Sequence, residues 1–120
     1  MMDREKWISG ILSVIGNIAN AEKQYRAWVL HENICFPSLD EIYCQIFDDY
    51  DLDNLIDNYA DQFGLTSQQK VSLNRLRNLL NSFDYEAIEN IDIKVLLDSQ
   101  EWSVITHSAS EVLHELSQCI

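Results

Sequence analysis

Between residues 52 and 63 the apolar side chains fall at Leu52, Leu55, Ile56, Tyr59, Ala60 and Phe63. That is the three-and-four spacing of one helix face, not the alternation of a strand. The same spacing recurs along most of the chain. Ile8, Ile11, Leu12, Ile15, Ile18 and Ala19 form a stripe that runs on to Tyr25 and Val29, giving one long helix or two divided near Asn20. Leu39, Ile42, Tyr43, Ile46 and Phe47 form a second face. Leu73, Leu76, Leu79, Leu80 and Phe83 form a third, and Trp102, Ile105, Ala109, Val112, Leu113 and Leu116 a fourth. Sustained period-two alternation, a hairpin dipeptide and an internal repeat are all lacking.

Local chemistry marks where these helices begin and end. Ser38 with Glu41, and Thr66 with Gln69, have the spacing of capping boxes, in which each side chain of the pair satisfies an otherwise orphan backbone N–H. Asp98 with Glu101 reads as a third. Asp51 is placed to cap the helix that Gly64 ends, and Pro37 disfavours helix at Phe36. A short helix is expected around Ile93 to Leu97, whereas "FDYEAIENID" gives no clear assignment. Apolar residues make up 47% of the chain, with only three glycines and one proline, which excludes disorder and a loop-rich β fold. The expectation is an all-α, single-domain bundle of about five to six amphipathic helices spanning residues 1–120.

One segment imitates a targeting signal. "WISGILSVIGNIANA" is an apolar run ending on Ala19-Asn20-Ala21, a sequence like a signal-peptidase site. Asp3 and Glu5 beside Arg4 and Lys6, the breaks at Ser9, Gly10 and Ser13, and helical spacing that continues past the supposed cut favour a retained helix. No stretch approaches the ~20 apolar residues of a membrane span. Cys35, Cys44 and Cys119 are odd in number and fit no Cys-x-x-Cys spacing, so free thiols in a reducing, cytoplasmic compartment are expected.

Twenty acids against eight bases give a net charge of −12. A field of that sign disfavours direct nucleic-acid binding and attracts cationic partners, including proteins whose own surfaces bind nucleic acid. Solubility alone accounts for the same balance. The acids are unevenly spread. "FDDYDLDNLID", residues 47–57, carries five aspartates, and the interval between Arg26 and Lys70 contains nine acids and no base.

A calcium loop is the first candidate for this stretch, since Asp49, Asp51, Asp53 and Asp57 occupy the first, third, fifth and ninth places of an EF-hand. Place six is Asn54 instead of the turn glycine, and place twelve is Ala60 instead of the bidentate glutamate, so the cage is incomplete. A di-iron bundle fails likewise, because only Glu111 to His114 supplies a Glu-x-x-His unit. His107, Glu111 and His114 share a helix face opposite the apolar stripe, where solvated surface outweighs a zinc site. No nucleophile sits on a glycine-rich turn and no phosphate loop is present. These gaps argue against an enzyme, and no metal or cofactor is implied.

Binding is left. Asp51 and Asp53 suit a helix start, where carboxylates oppose the dipole. Asp53, Asp57 and Asp61 run i, i+4, i+8 along the polar face, where each like-charge pair costs a few tenths of a kcal/mol. Such a ladder is expected where a partner supplies the opposite charge. Tyr50 either anchors an interface among these carboxylates or tucks into the core beside Phe47. The candidate partner-binding set is Asp48, Asp49, Tyr50, Asp53, Asp57 and Asp61.

In its small size, acidity, helical pattern and lack of a catalytic set, with the capped helices of "SLDEIYCQIFDDYDLDNLIDNYADQFG" carrying most of the likeness, the chain resembles the immunity proteins of bacterial polymorphic and contact-dependent growth inhibition toxins. The tyrosine-pair helix of colicin-nuclease immunity proteins has no counterpart here, so none of their binding residues transfers. The resemblance implies occlusion: an acidic face docks on the basic cleft of a toxin, by implication a nuclease, and blocks its substrate. The same electrostatics would serve a nucleic-acid mimic or regulator that blocks a DNA-binding protein.

Overall fold

A computed structural model describes residues 3–83 and 92–117 of the chain. Among these residues all regular structure is helical, in agreement with the expected all-α class, but the helices number seven, not five to six. They are α1 (Arg4–Ala19), α2 (Ala21–Gln24, widening into a π-helical stretch at Tyr25–Val29), α3 (Leu39–Tyr43, widening at Cys44–Asp49), α4 (Leu52–Asn54, widening at Leu55–Tyr59), α5 (Ser67–Ser82), α6 (Ile93–Asp98) and α7 (Gln100–Leu116). The extra count comes from the break at Asn20. Its side chain caps the Lys23 N–H and so starts a new helix where α1 stops.

The boundary chemistry is as the sequence suggests at most ends. Ser38–Glu41 and Thr66–Gln69 form both bonds of their capping boxes. Gly64 stands at φ +78°, the left-handed conformation that glycine adopts without Cβ strain. The third cap differs by one residue. Ser99, not Asp98, caps α7 by accepting the Trp102 N–H, because α6 runs on through Asp98. The stretch "FDYEAIENID" lies, apart from Phe83 and Asp92, outside the described residues.

The wide turns lie in three consecutive helices. In the first two, five-residue hydrogen bonds close the end, from the Leu30 N–H to the Tyr25 carbonyl and from the Tyr50 N–H to the Gln45 carbonyl. Both exits lead to a non-glycine residue at positive φ, His31 at +53° and Asp51 at +46°. The chain therefore turns sharply after α2 and again after α3.

The long helix α7 packs against both α1 and α5, which have little direct contact with each other. Ile11, Ile15, Ile18, Leu73, Leu76, Ala109, Val112 and Leu116 are all fully enclosed in the seam, each large aliphatic among them contributing about 1.5–3 kcal/mol by leaving water. The apolar stretch that imitates a signal sequence is thus the buried face of α1. α3 and α4 close over α1 and α5 through Ile42, Ile46, Leu52 and Leu55, all at 0% exposure. The Tyr43 hydroxyl ties α3 to α5 by donating to the Leu80 carbonyl at 2.9 Å. Among the described residues no helix is long and apolar enough to cross a membrane.

The expected stripe misses one core position. Tyr25 is exposed and Val29 only half-buried, whereas Gln24 is fully buried. The break at Asn20 resets the helical phase, so α2 turns a glutamine inward. Gln24 Nε2 donates to the Asn17 and Ile18 carbonyls at 2.9 and 2.7 Å, capping the end of α1, and its Oε1 accepts the Trp102 indole N–H.

Candidate acidic binding face

The acidic region is built on the corner between α3 and α4. Asp51 sits at its apex in the left-handed conformation, which aspartate tolerates better than most residues, and its side chain accepts from the Asn54 N–H to start α4. The preceding carbonyl, that of Tyr50, accepts the Trp7 indole N–H at 2.5 Å. The Tyr50 ring lies on Gly10 of α1, so closely that a Cβ added at Gly10 would stand 2.1 Å from Tyr50 Cε1. Tyr50 therefore docks on α1. Phe47 instead stacks with Tyr43, at a ring separation of 6.0 Å.

The far end of α4 is held by the same part of α1. Trp7 packs against Tyr59 and Phe63, with ring centroids 5.0 and 5.7 Å away, and Arg4 Nε donates to the Phe63 carbonyl at 2.9 Å. The first two turns of α1 thus grip both ends of the acidic helix.

The aspartate ladder that begins on α4 is largely compensated from within, by two cations for three carboxylates. Arg77 of α5 reaches Asp57 at 2.9 Å and Asp53 at 3.4 Å, and Lys70 of α5 reaches Asp61 at 2.5 Å. This changes the meaning of the sequence gap between Arg26 and Lys70. The absence of bases in sequence is not an absence in space, because α5 lies alongside α4 and returns the missing cations. The like-charge cost along the ladder is offset inside the protein, not left for a partner to offset.

On α3 the situation is different. Asp48 and Asp49 are exposed, and among the described residues no base forms an ion pair with either. They lie with Asp40 and Glu41 around Cys44, whose thiol is held above its usual range by desolvation and then by the carboxylates of Asp40, Asp48, Asp49 and Glu41. Glu41 is engaged in its capping box. The six candidate residues therefore divide into an internally paired trio, Asp53, Asp57 and Asp61, an uncompensated pair, Asp48 and Asp49, and Tyr50, an anchor turned onto α1.

Three of the EF-hand-like positions are engaged elsewhere, since Asp51 caps a helix and Asp53 and Asp57 pair with Arg77. On α7, His107 Nε2 approaches Glu111 at 3.3 Å, and Glu111 also pairs with Arg75. Among the described residues no group of three or more histidine, cysteine, aspartate or glutamate side chains is placed to hold a metal ion. Trp7, Gly10, Lys70 and Arg77 shape the acidic region yet are not legible in the sequence as part of it. Gly10 offers one signal, a glycine inside a helical stripe, which often marks a close approach.

Fold and surface together define an all-α domain with a strongly acidic corner packed on α1. No protein-family model, curated protein or solved structure was found to match the chain.

Proposed function

We propose that the chain is a binding protein that neutralises a basic partner, acting as an immunity protein that occludes the substrate-binding cleft of a cognate bacterial toxin, by chemistry a nuclease. The observation that carries this reading is the exposed pair Asp48 and Asp49, with no ion pair among the described residues, on a helix whose other face is locked into the core by Ile42, Tyr43 and Ile46. A net charge of −12 steers a cationic surface toward the molecule, and the uncompensated carboxylates offer it counter-charges without first breaking an internal pair. The α4 ladder takes a lesser part, because a partner's cation must displace Arg77 or Lys70 to use it. Occlusion requires no metal, cofactor or catalytic group, and in this reading the protein works in the cytoplasm, where Cys35 and Cys44 remain thiols.

The test is a pull-down with tagged protein from its own source cells, washed at low and then high salt, with native and Asp48→Asn/Asp49→Asn baits compared and the retained proteins identified by mass spectrometry. A basic toxin domain held by the native bait and lost from the variant supports the proposal. Retention of a DNA-binding enzyme instead transfers the case to a nucleic-acid mimic, and an empty native bait at low salt removes both.

A further inference from the structure

We infer that Gly10 is a positioning residue for the acidic corner: by lacking a side chain it admits the Tyr50 ring against α1, and the seated ring fixes where Asp48 and Asp49 are presented. The inference rests on the binding role proposed above. A glycine inside a helix costs roughly 0.5–1 kcal/mol relative to alanine, and Gly10 lies in the middle of α1. Alanine there would force the Tyr50 ring to move, since the added Cβ would meet Cε1, Cζ and Cδ1 of Tyr50 at 2.1, 2.6 and 2.8 Å. One turn earlier the Trp7 indole N–H holds the Tyr50 carbonyl. Tyr50 is thus gripped by backbone and ring from the same face of α1, one residue beyond Asp49 and one before Asp51. Asp51 adds a third constraint, its φ of +46° being supported by its own cap to Asn54. The same residue closes the wide last turn of α3, its N–H donating to the Gln45 carbonyl, so the seated ring and the end of α3 are joined at Tyr50.

Displacing the ring leaves the charge unchanged, so long-range attraction and the association rate should persist while the docked complex loses fit and dissociates faster. The test uses the basic protein identified in the pull-down as the probe and measures association and dissociation rates for the native chain, Gly10→Ala, Tyr50→Ala, the double variant and Tyr50→Phe. Circular dichroism checks that each is folded. The expected result is dissociation about tenfold faster for Gly10→Ala and for Tyr50→Ala with association unchanged, native rates for Tyr50→Phe, and a double variant no faster than Tyr50→Ala alone, because Gly10 acts only through the ring. If Gly10→Ala does not fold, the double variant, in which the clash is gone, carries the comparison with Tyr50→Ala. Native dissociation in Tyr50→Ala, or additive effects in the double variant, overturns the positioning role while leaving the binding role standing. A native bait that retains no basic protein overturns both.

Discussion

The side-chain oxygen of Gln24 accepts the indole N–H of Trp102 at 2.9 Å, across 78 positions of sequence and in the interior of the protein. With its amide nitrogen on the Asn17 and Ile18 carbonyls, this one glutamine joins the end of α1, the start of α2 and the first turn of α7. Trp102 in turn packs on Phe83 and Trp28, at centroid distances of 5.4 and 6.5 Å. Replacing Gln24 by alanine strands an indole donor in the core and the Ile18 carbonyl beside it, while the Asn17 carbonyl keeps the Asn20 N–H. The expected loss is about 3 kcal/mol in urea unfolding, since each stranded group costs on the order of 1–3 kcal/mol. A loss below about 1 kcal/mol would show that the network contributes little beyond ordinary packing.

Ser108 presents the opposite case. Its hydroxyl is buried on α7 with no hydrogen-bond partner among the described residues. Ser108→Ala removes that unsatisfied group with little change of volume, so the unfolding midpoint should rise, by about 1 kcal/mol of added stability. A decrease would mean that the hydroxyl is bonded in solution.

Arg77 should couple to the α4 ladder. Its side chain is only 17% exposed, whereas Asp57 and Asp53 are more than half exposed, so the pairing lies near the upper end of the range for surface ion pairs. A double-mutant cycle of Arg77→Ala with Asp57→Ala is expected to give a coupling of roughly 0.5–1 kcal/mol in low salt, smaller in 1 M salt where the Debye length contracts. Zero coupling at low salt would return the ladder to the status of an uncompensated surface.

The carboxylates around Cys44 make a prediction in pH. Because desolvation and negative neighbours disfavour the thiolate, its folded-state pKa is raised, and at any pH below that value a smaller fraction of the thiol is reactive. Neutralising Asp48 and Asp49 as asparagines should move the alkylation profile of Cys44 toward lower pH. Mass spectrometry of the Cys44 peptide after timed iodoacetamide treatment reads this directly. An unmoved profile would place those carboxylates away from the thiol.

Asp51 is asked to do two things, hold φ at +46° and cap α4. Asparagine can do both, so Asp51→Asn should change thermal stability little. Asp51→Ala loses the cap and keeps the backbone strain, with an expected cost of about 1–2 kcal/mol. Equal melting temperatures for the two variants would argue against the capping bond to Asn54.

Much of the helical class was legible in the sequence, because it depends on local chemistry. The apolar spacing of Leu73, Leu76 and Leu80, the boxes at Ser38 and Thr66 and the glycine at 64 each act within a turn or two of chain, and periodicity and capping report that range faithfully. Even the misplacement of the third cap, by one residue from Asp98 to Ser99, is a local ambiguity between two good capping side chains. Gln24 escaped detection because the break at Asn20 changed the phase of the stripe, and a polar residue gives no sign in sequence that its partners, Trp102 among them, will surround it.

The acidic stretch shows where sequence stops. Its composition, its position at a junction between helices and the uneven charge of the chain were fixed by the residues themselves. Which carboxylates remain uncompensated was decided by tertiary structure alone. Arg77 lies 20 positions beyond Asp57 and yet touches it, while Asp48 and Asp49, only a few residues from the same ladder, have no such pairing among the described residues. Charge interacts through space at a few ångströms, and only the packing of α5 beside α4, with α1 seated under Tyr50, sets those distances.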